Sequence, residues 1–104
     1  MFAVIIRATV GELDDGYTQA ITRMKQLAFE EYGCLEFFAL MDGEKRIAIS
    51  YWETEEQIRL WKTNAEHALA QQQGQAKWYA SYIIQVVEVK RQYAFNTELP
   101  VQSR

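Results

Sequence analysis

Residues 47–52, IAISYW, are followed by a break at Glu53-Thr54, a helical run through Trp61 and His67, and then residues 78–89, WYASYIIQVVEV, an order that reads strand, helix, strand. The two flanking runs are rich in β-branched and aromatic residues, which suit a pleated, half-buried surface. Between them, Thr54 and Gln57 have the spacing of a capping box, so a helix is predicted to start there, with Ile58 and Trp61 on one face. Asn64 is a second capping residue, and the reading places a bend near Thr63-Asn64 and a further helix through Ala68, Leu69 and Ala76, weakened by Gly74. This unit gathers Tyr51, Trp52, Trp61, His67, Trp78, Tyr79 and Tyr82, which puts large rings and the only histidine within reach of one pocket.

Working outward, Phe2 to Thr9 is an apolar, β-branched run closed by Gly11, a first strand. Tyr17, Ala20, Ile21, Met24, Leu27, Ala28 and Tyr32 recur at three- and four-residue steps, a helical stripe with Asp14 or Asp15 as N-cap and Gly33 as its stop. Leu35 to Met41 and Ile47 to Trp52 are joined through Asp42-Gly43, where glycine accepts the positive φ of a tight hairpin turn. The order is β-α-β-β-α-β. It predicts an α+β, ferredoxin-like antiparallel sheet with two helices on one face, spanning residues 1–93, with 94–104 as a C-terminal tail that holds the single proline, Pro100.

Adjacent apolar pairs complicate that picture. Ile5-Ile6, Phe37-Phe38, Tyr51-Trp52 and Ile83-Ile84 send large side chains to both faces of the strands, because successive residues alternate sides. Two helices cover one face only. The expectation is a homodimer packed sheet to sheet over the other.

Composition narrows the function. At 104 residues, 49% hydrophobic and 24% charged, the chain is sized for one modest core, and its net charge is −3. Lysines and arginines are scattered, with Lys45-Arg46 and Lys90-Arg91 as the adjacent pairs, so no basic face suited to nucleic acid is expected. Arg7 interrupts the apolar opening well short of the roughly 20 residues that span a bilayer, and no membrane partner is expected. Cys34 is the lone cysteine, which excludes an intrachain disulfide and a CxxC motif and makes a reducing, cytoplasmic setting the expectation.

Residues 48–67, AISYWETEEQIRLWKTNAEH, and 77–93, KWYASYIIQVVEVKRQY, on a chain of this order and length resemble the antibiotic biosynthesis monooxygenase (ABM) domain family of dimeric α+β barrels. The resemblance implies two kinds of chemistry. One branch oxidises aromatic polyketides to quinones without metal or flavin; another binds haem and opens its ring. The haem branch resembles this chain at Trp61, but Arg7 stands in the place of its asparagine and Gln71 in the place of its iron ligand, with His67 one helical turn earlier. The cofactor-free branch is the better match, and it implies an oxidoreductase acting on a small aromatic, phenolic or quinone-forming molecule. The open alternatives are a haem-handling relative and a dimeric binding module without chemistry.

For cofactor-free oxidation the candidate base is His67, since an imidazole titrates near working pH. Arg7 is the candidate for holding the resulting anion, and Trp61, Asn64, Tyr51, Trp52 and Tyr79 are the candidate substrate walls and hydrogen-bond partners. Each has a plainer reading. His67 on an exposed turn, Trp61 and Trp78 as core anchors, Arg7 paired with Glu36 or Glu88, Asn64 as a cap, and Cys34 as a small buried apolar residue are the competing structural roles. The acidic run Glu53, Glu55, Glu56 suits a helix N-terminus, and Gln71-Gln72-Gln73 suits a solvated helix face.

Overall fold

In a computed structural model of the protein, residues 1–71 and 78–96 are described, the side chains of 66–71 excepted. Their elements run β1 (Phe2–Val10), α1 (Asp15–Tyr32), β2 (Glu36–Asp42), β3 (Lys45–Trp52), α2 (Glu55–Gln71) and β4 (Tyr79–Glu88). The four strands form one antiparallel sheet in the order β2-β3-β1-β4. This is the ferredoxin-like α+β fold expected from the order of elements.

Local chemistry sets the boundaries. Asp14 caps α1, its carboxylate accepting from the Tyr17 amide at 3.1 Å, and the same oxygen accepts from the Trp78 indole at 3.1 Å. One side chain therefore starts the first helix and fixes the entry to the last strand. Gly33 ends α1 with φ 78°, a left-handed conformation that costs glycine little. Its amide returns to Ala28 O, closing the last turn. In the hairpin, Asp42 pairs with Lys45, so the turn residues are Gly43 and Glu44, one position later than the Asp42-Gly43 reading. Gly43 supplies the positive φ, 62°.

The capping box at Thr54 forms in both directions: the Thr54 amide donates to Gln57 Oε1 and the Gln57 amide donates to Thr54 Oγ1, each at 3.2 Å. The expected bend at Thr63-Asn64 does not form. α2 continues through both residues, because Thr63 Oγ1 returns to Arg59 O at 3.0 Å and Asn64 Nδ2 donates across to the Tyr32 hydroxyl at 3.0 Å. A side chain engaged with the neighbouring helix is not capping its own backbone. The later landmarks Ala76 and Gly74, with Gln72 and Gln73, lie outside the described residues.

Alternation along the strands assigns the two faces. On β3, Arg46, Ala48, Ser50 and Trp52 are buried beneath the helices, and their partners on β1 are Ala8, Ile6, Val4 and Phe2. The core packs here: Trp52, Trp78 and Val4 are fully buried, with Tyr17, Met24, Ala28, Ile58 and Trp61 around them. The opposite parity forms the outer face, where Phe38, Ile49 and Ile5 make one cross-strand row, with Leu40 and Ile83 in the row on one side of it and Val87 in the row on the other. Leu40 is 66% exposed and Ile83 52%, so the adjacent apolar pairs do project from both sides. No described helix is long and apolar enough to cross a membrane.

Candidate functional site

Between the helix-side face of the sheet and the two helices lies a cavity of about 70 Å³, space for a few waters or part of a small ring. Its floor is Val4 and Ile6 of β1 with Phe37 of β2 and Ile84 of β4. Ile21 and Met24 of α1 close one side; Ile58, Trp61, Lys62 and Ala65 close the other, a stripe at three- and four-residue steps along α2. Tyr79, Tyr82 and Arg46 complete the wall.

Trp61 is held firmly. Its indole N–H donates to the Met24 carbonyl at 3.1 Å, which pins α2 to α1, and its ring meets Phe37 edge-on at 6.1 Å and the tilted Trp52 ring at 5.2 Å. Trp52 in turn donates to Ser50 Oγ at 2.9 Å. Both indole donors are therefore satisfied inside the protein, and Trp61 offers the cavity a ring surface. Tyr79 lies at 5.9 Å from the rings of both Tyr17 and Tyr82. Burial, reinforced by the Tyr17 hydroxyl beside it, pushes the Tyr79 phenol well above its ordinary range, while the nearby Arg46 charge acts in the opposite direction. The Tyr17 hydroxyl itself is buried without a hydrogen-bond partner of good geometry, so its hold on Tyr79 is that of a close but poorly aligned neighbour.

Arg46 is the residue that reading the sequence missed. It is 8% exposed, yet among the described residues no carboxylate forms an ion pair with it; the ion pair found there is Arg59 with Glu56, on the solvent side of α2. The signal was present in the chain as strand parity. Arg46 shares the parity of Ala48, Ser50 and Trp52, and so must lie under the helices with Trp52.

The same parity rule separates the expected site residues. Trp61 and Tyr79 line the cavity, and Trp52 stacks behind Trp61. Asn64 is engaged with Tyr32 on the α1 side. Tyr51 sits opposite Ala3 and Glu36 on the outer face. Arg7 is on that outer face too, between Ile47 and Ile83, where it lines a shallow depression with Thr9, Lys45 and Ser81. Arg7 and Trp61 thus stand on opposite sides of the sheet. The expected pairing of Arg7 with Glu36 or Glu88 is not formed: those residues are in register with Tyr51 and Phe2. His67 lies on α2, but its side chain and that of Gln71 are outside the described residues. Cys34 is buried, its thiol donates to Glu36 O at 3.2 Å, and burial raises its pKa, in line with a structural role. Among the described residues no group of three His, Cys, Asp or Glu side chains is placed to hold a metal ion.

No protein-family model matches the chain. It is 35% identical over 96 residues to the uncharacterized protein YqjZ of Bacillus subtilis (strain 168), across 91% of this chain and 84% of that protein. Among solved structures, it is similar to SnoaB, a cofactor-independent oxygenase from Streptomyces nogalater, in a single-residue variant form, with a TM-score of 0.70 at 11% identity over 88% of this chain and 94% of the other. A Nitrosomonas europaea protein assigned as an antibiotic biosynthesis monooxygenase gives a TM-score of 0.67 at 18% identity, over 88% of this chain and 100% of the other. The strand order, the two helices on one face and these likenesses agree, and the chain belongs to one family with YqjZ, on the fold of the antibiotic biosynthesis monooxygenase proteins.

Proposed function

We propose that this chain is a small oxygenase that oxidises an aromatic or phenolic compound in the cavity between sheet and helices, without metal or flavin, and that it works as a homodimer packed sheet to sheet. The observation that carries the reading is the chemistry of the cavity wall: mostly apolar and aromatic surfaces, with the buried residue Arg46 and a second cation, Lys62, among them. Such a wall suits a flat apolar ring, for which the ligand-free cavity of about 70 Å³ has to widen, and it excludes bulk water while placing a fixed positive charge beside the ring. The similarity in fold to SnoaB, a cofactor-independent oxygenase, supports the same class of reaction. The bare apolar outer face supports the dimer, since a surface of this kind is ordinarily covered.

The chemistry asks little of the protein. An electron-rich phenol that loses its proton passes one electron to dioxygen; the phenoxyl radical and superoxide combine to a ring-carbon peroxide, which loses water to give the quinone. One oxygen atom of O₂ enters the product and the other leaves as water. The protein must accept the first proton, hold the anion and keep solvent out. In this reading His67, on the helix that carries Trp61 and Lys62, accepts the proton. The anion-holding role first considered for Arg7 falls to a cation inside the cavity.

The test is oxygen uptake with a panel of hydroxynaphthalenes and anthrones, after dialysis of the protein against chelator. Expected is quinone absorbance with one O₂ consumed per quinone formed, lost on Trp61→Ala. A panel that yields no uptake above the protein-free rate would overturn the oxygenase reading in favour of a binding module.

A further inference from the structure

Arg46, Ala8 and Tyr82 stand in one row across β3, β1 and β4 on the helix side of the sheet. The middle residue has only a methyl group, and Arg46 and Tyr82, on either side of it, both line the cavity. The second cation on the wall is Lys62, and no carboxylate is among the described lining residues. The phenol beside Arg46, Tyr79, is driven towards its neutral form and leaves the positive charge uncompensated. An arginine cannot shed its charge to suit an apolar site as a lysine can. Arg46, a buried residue without an ion-pair partner among the described residues, thus presents a permanent positive charge in the wall of a largely apolar cavity, where an anionic ligand is the natural complement.

We infer that the cavity is a receptor for an aromatic oxyanion, with the ring against Trp61 and Phe37 and a single ionised phenol oxygen at the guanidinium of Arg46. This rests on the oxygenase reading for the aromatic nature of the ligand and extends it to the ligand's charge. A neutral ring of the same shape would bury the arginine further without pairing it, so the site discriminates by ionisation as well as by shape. A cation held beside the phenol favours its ionised form, and a bound phenol therefore loses its proton at lower pH than a free one. Arg46 in this role touches the ligand and holds it in the form that reacts with oxygen.

The probe is 4-nitrophenol, whose ionised form is coloured, titrated against pH with the full-length protein in excess; 4-nitroanisole is the neutral control. Expected is a bound pKa lower than that of the free phenol by about one unit or more, equivalent to phenolate binding about ten-fold more tightly than phenol. Arg46→Met should abolish the shift while still binding 4-nitroanisole, and Arg46→Lys should keep part of it. An unshifted or raised bound pKa, an equal shift in Arg46→Met, or no binding of either probe by the parent protein would each overturn the inference. If Arg46→Met fails to bind the neutral ether, Arg46→Lys decides, a shift smaller than the parent's supporting the role and an unchanged one refuting it. Quinone formation without the lowered pKa would leave the oxygenase reading standing and remove this one. A lowered pKa without oxygen uptake would do the reverse.

Discussion

Replacing Arg46 by methionine should stabilise the ligand-free protein. The residue is 8% exposed, shares the cavity wall with Ile6, Trp61 and Tyr79, and has no ion-pair partner among the described residues. A partly desolvated charge without an ion-pair partner is destabilising, and methionine supplies a similar unbranched apolar stem. Residual solvent access and the phenol of Tyr79 offset part of that cost, so a net gain of about 1–2 kcal/mol is expected. For a domain of 104 residues each kcal/mol moves Tm by about 4–8 °C, which places the rise at about 5–15 °C. Thermal unfolding followed by circular dichroism, at matched protein concentration because association also shifts Tm, reads this directly. The phenolate of 4-nitrophenol should raise the parent's Tm and leave that of the variant unmoved. A fall in Tm of 5 °C or more on Arg46→Met would refute the reasoning, for it would mean that the guanidinium is compensated within the fold and holds it together.

Light scattering at micromolar concentration should give twice the chain mass, and Leu40→Lys or Ile83→Asp, on the outer face, should reduce it to that of one chain; a stable parent monomer would remove the sheet-to-sheet dimer. Below pH 10 both the folded and unfolded chains keep Tyr79 protonated; above it the unfolded phenol ionises while the raised folded one does not, so stability should fall as pH rises past about 10. Tyr79→Phe should flatten that fall, as measured by urea unfolding at a series of pH values. His67→Ala should slow quinone formation by roughly 10²-fold with Tm nearly unchanged, the range for a lost general base. Equal rates in parent and variant would assign the proton to another acceptor.

The fold was legible in the chain to a high degree, and for local reasons. The cap at Asp14, the stop at Gly33, the turn at Gly43 and the box at Thr54-Gln57 are each decided by atoms within a few residues, and each forms. The reading failed at Asn64, which was taken for a cap from its type alone; its side chain is engaged by Tyr32, 32 residues away, a partner that no local pattern shows. The site was only partly legible. Ring-rich segments identified Trp61 and Tyr79, but they also drew in Tyr51, whose strand neighbour Trp52 faces the other way. Arg7 drew attention as a charge inside an apolar strand, and Arg46 did not, because it follows Lys45 at a turn and looks like part of a solvated loop.

That contrast between the two arginines follows from one geometric fact. Arg7 and Ile47 are directly opposed on neighbouring strands, so Arg46, one residue away, must face the other side of the sheet. The sheet therefore acts as a partition, with a cavity and a buried cation on the helix side and a broad apolar surface with Arg7 on the other. Substitutions on the two sides should be separable: outer-face changes alter mass first, and cavity changes alter ligand binding first. The partition is not complete at one end, because Arg46 and Tyr82 line both the cavity and the shallow depression that holds Arg7. A second copy packed over the outer face would cover that depression and narrow the solvent's approach to Arg46. Assembly would then strengthen the hold on an oxyanion by lowering the dielectric around the guanidinium, without adding any new contact to the ligand. A dimer-breaking variant such as Leu40→Lys should accordingly bind 4-nitrophenol with a smaller pKa shift than the parent, although it alters no residue of the cavity; an equal shift in the two would confine the control of that charge to the single chain.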